Sequence, residues 1–108
     1  MDKTLTEFID EISNNCLASP VFANLSEEQK SQTLEKLQNY FYGLMVETLI
    51  DNLNNDQILQ IKDLDFNSPQ MAEKISYFAA SIPGFILTLD EKLKDEASKI
   101  SQSGQIPA

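Results

Sequence analysis

Residues 25–49 read LSEEQKSQTLEKLQNYFYGLMVETL, and their opening decides how the rest of the chain is read. Ser26 and Gln29 stand three positions apart, the spacing of a capping box. The Ser hydroxyl and the Gln carboxamide then each satisfy a backbone N–H that has no partner inside the helix. Behind the cap, Leu34, Leu37, Phe41, Leu44, Met45 and Leu49 recur at helical spacing, which predicts a helix over 27–52. At 1.5 Å per residue it is about 39 Å long, enough to serve as a spine. Tyr40, Tyr42, Val46 and Ile50 widen its apolar stripe beyond one face, so it is expected to be packed on more than one side, by its own chain or by a second copy. Gly43, mid-helix, costs about 1 kcal/mol relative to Ala and is read as a close helix crossing or a kink.

Working outward, Leu5, Phe8, Ile9, Ile12 and Cys16 share one face of a helix over 3–15, which Asn14-Asn15 and Ser19-Pro20 bring to an end. Downstream, Leu53-Asn54-Asn55-Asp56-Gln57 repeats the capped start and opens a short helix over 56–64. Ser68 followed by Pro69 is an N-cap with proline at the first helical position, opening a helix over 69–81. After Ile82-Pro83-Gly84, the residues Phe85, Ile86, Leu89, Leu93, Ala97 and Ile100 make a narrow seam over 84–101. No stretch alternates with period two. The expected fold is all-α, a compact bundle of about five helices with the second as spine, forming a single domain over 1–101 with a flexible tail over 102–108.

Composition narrows function by exclusion. Eight Lys and no Arg stand against seventeen acidic residues, a formal charge of −9. Affinity for nucleic acid comes from clustered Lys and Arg that displace counterions, so no nucleic-acid partner is expected. With no His and one Cys, a His/Cys zinc site, an intrachain disulfide, a Ser-His-Asp triad and a Cys-His pair are all excluded within one chain. Asp63-Leu64-Asp65-Phe66-Asn67 opens like a calcium loop but continues Ser68-Pro69 where glycine is needed and reaches Lys74 where the bidentate Glu belongs. Glu47 lies among apolar residues and is read as a core-edge carboxylate with its head in water. Cys16 is read as a small buried hydrophobe. No metal, cofactor or catalytic activity is expected.

Met1-Asp2-Lys3 runs into an acidic helix rather than a secretory signal, and no apolar run approaches the ~18 residues of a membrane span. A cytoplasmic protein with no membrane partner is expected. What remains is interaction with a protein partner or a homodimer, and the aromatic and apolar excess points to Tyr40, Tyr42, Val46, Ile50 and Tyr77 as the interaction residues. The alternative is an acidic inhibitor that mimics nucleic acid and occupies a basic protein.

The run at Leu25 to Lys30, the segment Glu47-Thr48-Leu49-Ile50, the second capped turn and Ile82-Pro83-x-Phe85 together resemble a small all-helical acidic domain family of bacteria, including reduced-genome lineages. The chain departs from that pattern at Asn54 and Asn55, where acidic residues are common. The resemblance implies a helical fold and a bacterial cytoplasmic setting, and it carries no established activity.

Overall fold

The computed structural model describes residues 3–65 and 68–107. Five helices follow in order, α1 (Lys3–Leu17), α2 (Glu27–Ile50), α3 (Asn55–Ile61), α4 (Pro69–Ser81) and α5 (Phe85–Ser103), with a 3-10 turn at Pro20–Phe22. No strand occurs among the described residues.

The local signals act as their chemistry requires. The Ser26 hydroxyl accepts from the Gln29 N–H at 3.2 Å while the Gln29 carboxamide oxygen accepts from the Ser26 N–H at 2.9 Å. Asn54 and Gln57 repeat the reciprocal pair at 2.9 Å in both directions. Ser68 caps α4 by accepting from the Met71 N–H at 3.1 Å, with Pro69 at the first helical position.

Six of the ten helix boundaries differ from expectation: α2 ends at Ile50 rather than 52, α3 opens at Asn55 rather than 56, α5 opens at Phe85 rather than 84, and three helix ends shift further along or back. α1 runs on to Leu17 because Asn14, instead of turning the chain, bonds back along the helix, its Nδ2 donating to the Asp10 carbonyl at 2.8 Å. α3 closes at Ile61, leaving Leu64 in a turn made by its own N–H to the Ile61 carbonyl. α5 reaches Ser103 and stops at Gly104, whose φ of 71° is the left-handed geometry of a helix C-cap. The expected tail does not run free from residue 102: Ser103 is helical, and Ile106 folds back as a partly buried side chain against the core.

α1, α2 and α5 form a three-helix bundle, and α4 closes on α2 and α5. Leu37, Phe41, Met45 and Leu49 of α2 are wholly buried and share one core with Leu5, Ile9 and Ile12 of α1 and Leu89, Leu93 and Ile100 of α5. Ser13 is buried too, its hydroxyl satisfied by the Ile9 carbonyl at 2.7 Å. The radius of gyration is 14.7 Å, with extents of 47 × 25 × 23 Å. A near-spherical domain of this length would have a radius of gyration of about 13 Å, so the long spine sets an elongated shape.

Candidate interaction surfaces

The five residues expected to face a partner do not form one surface. Val46 is 4% exposed and belongs to the core, which corrects the expectation for it: α2 is covered by α1, α4 and α5, and this part of the widened stripe is buried inside the chain. Tyr40 is half-buried and its hydroxyl donates to Glu96 Oε2 at 3.0 Å, tying α2 to α5. Burial, then the bond to Glu96 and the charges of Glu96 and Glu47, push the Tyr40 phenol up to about 12. Tyr42 is also half-buried, and burial raises its phenol. Ile50, at the end of α2, is 36% exposed, and Tyr77, on α4, is 68% exposed. The Tyr77 and Phe78 rings stand edge to face at 5.6 Å between centroids.

Sequence reading missed Leu87 and misplaced Ile86. They are 66% and 50% exposed and open α5, one residue after the buried Phe85. The signal was present in Phe85-Ile86-Leu87-Thr88-Leu89, four apolar residues in five, more than one helical stripe can bury. With Tyr77 they flank the turn at residues 82–84.

Concavities lie elsewhere among the described residues. Between α1 and α5 a cleft of about 380 Å³ has Phe8, Ile12, Cys16 and Ala97 at its apolar floor and Glu11, Asn15 and Asp90 around it. The Cys16 thiol at its base is buried, 3.7 Å from the Ser101 hydroxyl and 3.8 Å from the Ala97 carbonyl. Burial pushes its pKa up, the Ser101 bond offsets this only in part, and the thiol stays protonated and weakly nucleophilic. Along α2 a wider groove of about 660 Å³ runs past Tyr40, Gly43, Leu44 and Glu47, with Ile106 and Pro107 on its other side. Gly43 is no helix crossing, since a Cβ there would meet nothing within 4 Å. Glu47 is exposed.

Among the described residues no three His, Cys, Asp or Glu side chains gather to hold a metal ion. Phe66 and Asn67 of the incomplete calcium-loop pattern lie outside the described residues. No described helix is long and apolar enough to cross a membrane. Compared with protein families, curated proteins and solved structures, the chain has no significant match. The resemblance to an acidic bacterial family thus rests on the helix caps and breaks alone.

Proposed function

We propose that the chain is a non-catalytic helical interaction module that binds a partner protein through the α4–α5 hairpin. The observation that carries this reading is the exposure of Tyr77, Ile86 and Leu87 on the two sides of one turn. None of the three is needed by the core, because Phe78, Phe85 and Leu89 beside them already fill it. Large apolar and aromatic side chains held at a surface supply most of the energy of protein recognition. Glu73 and Glu91 stand one helical turn from Tyr77 and Leu87 respectively, so the matching partner surface is apolar at its centre and basic at its rim. The lack of histidine and the protonated, buried Cys16 support the non-catalytic part of the reading.

Acidic residues occur in every helix rather than gathering in one, which favours this reading over a nucleic-acid mimic. The test is capture from an extract of the source cell with immobilised wild-type chain and Leu87→Glu, at low and high salt. A surface substitution of this kind changes folding stability by about 0.5 kcal/mol or less, so a difference reports the surface. The expected result is a protein retained by the wild type, weakened by salt and lost with Leu87→Glu. Equal retention by both chains removes the hairpin from the interface. A wild-type dimer that Leu87→Glu dissociates, read by light scattering, assigns the surface to a second copy instead.

A further inference from the structure

Gly43 stands in the middle of the spine, where glycine weakens a helix, and nothing in the fold requires it. Its φ is not positive, no neighbouring helix approaches it, and a side chain would project into open space. What its missing side chain does is leave the floor of the α2 groove open between Tyr40 and Glu47, one turn to either side.

The far wall of that groove is made by Ile106 and Pro107. After the Gly104 cap, the Gln105 N–H is held by the Ser103 hydroxyl at 3.1 Å, and Ile106 then packs against the core. Residues 105–107 run between two hollows, the large one against α2 and a smaller one of about 260 Å³ against Glu96, Lys99 and Ile100 of α5. Pro107 keeps Ile106 out of helical geometry, so the segment is extended by its own chemistry. An Ile-Pro pair is thus seated at the edge of a groove larger than it fills.

We propose that the groove over Gly43 is a docking site for an extended segment of another protein carrying an aliphatic–proline pair, and that residues 105–107 occupy its edge as a displaceable strap. The strap is the chemical pattern for the ligand: an aliphatic side chain for the apolar floor at Gly43 and Leu44, and a proline that holds the backbone extended with little conformational entropy to lose. Gly43 provides the depth, and Tyr40, pinned to Glu96, provides a rigid edge. This site lies on α2, apart from the α4–α5 hairpin, and stands or falls independently of the function proposed above.

The experiment titrates isotope-labelled full-length wild type and Ile106→Asp with the peptide Ser-Gly-Gln-Ile-Pro-Ala, following backbone amide resonances. The polar side chain releases the strap, so Ile106→Asp is expected to bind the peptide with shifts centred on Tyr40, Gly43 and Leu44. Wild type should bind about tenfold more weakly, as when a competing closed state is populated about nine-tenths of the time. Adding Gly43→Leu to Ile106→Asp should abolish the shifts. If Ile106→Asp does not fold, Ile106→Ser serves in its place. Equal binding by both chains, shifts elsewhere, or none at saturating peptide overturns the proposal. So does a wild-type dimer dissociated by Ile106→Asp, which would make the strap an exchange element between copies.

Discussion

Two glycines with opposite physical roles show what a single hydrogen in place of a methyl group does in this molecule. Gly104 sits at φ 71°, and a Cβ there would stand 2.6 Å from Val21 Cγ2, so both the backbone geometry and the neighbour demand glycine. Gly104→Ala is expected to destabilise by about 1–2 kcal/mol from the left-handed geometry alone, with the Val21 contact adding to it. Gly43→Ala adds a methyl group to open space within a helix and is expected to stabilise by about 1 kcal/mol. Chemical denaturation of the two variants separates the cases by sign. Tyr40 yields a pH-dependent counterpart. Its folded pKa of about 12 lies above the ordinary 10.0, so its contribution is fully present below pH 10 and is lost as pH rises toward 12. Tyr40→Phe should flatten that part of the alkaline stability profile and remove the latest phase of tyrosinate absorbance. Unchanged curves would mean that in solution Tyr40 is neither buried nor bonded to Glu96 in this way.

At the scale of the helix, the caps divide by what lies behind them. Ser26 opens the 24-residue spine, whose side chains touch three other helices, so Ser26→Ala is expected to lower global stability by about 1 kcal/mol. Asn54 opens a seven-residue helix anchored by one buried side chain, Ile61. Asn54→Ala should therefore speed amide exchange across residues 55–61 while moving the global midpoint less, because α3 can open alone. Equal loss in both variants would show that α3 unfolds only with the bundle. These caps are also why so much of the architecture could be read from sequence. A cap and a proline at N1 are local chemistry, and α4 begins and ends at 69 and 81 as expected. The readings that failed depended on partners far along the chain or on a choice between competing local bonds. Asn14 can turn a chain or bond back to Asp10, and it does the latter. Val46 looked surplus because periodicity cannot count how many helices will cover α2. Ile106 looked like part of a loose tail because its contacts belong to tertiary packing. Of the expected surface residues, Tyr77 and Ile50 do reach solvent, whereas Ile86 and Leu87 were obscured by the seam that begins at Phe85.

For the molecule as a whole, the dominant quantity is a charge of −9 spread along a body 47 Å in its longest extent. Ion pairs on α5 offset part of it, where Lys94 meets Asp90 at 3.0 Å and Lys99 meets Asp95 at 3.3 Å and Glu96 at 3.5 Å. Both lysines are well exposed, so water and salt screen these pairs and each contributes little. Against them stands repulsion among the excess carboxylates, distributed from α1 to α5 and mostly facing water. Salt weakens both terms, but the repulsion is the larger, because there are seventeen acidic residues for eight lysines. Raising salt from about 10 to about 150 mM shortens the Debye length from about 30 to about 8 Å, which disconnects most of the like charges on a molecule of this size. The thermal midpoint is therefore expected to rise across that range, and to rise less for a variant in which Glu27 and Glu35 of α2 are replaced by Gln. A midpoint that falls with salt would mean that the α5 pairs outweigh the net charge. The same screening acts in the opposite direction on binding at the α4–α5 hairpin. Conditions that stabilise this fold should weaken its hold on a partner with a basic rim, so opposite salt slopes for stability and binding are the combined signature of an acidic body carrying an apolar contact.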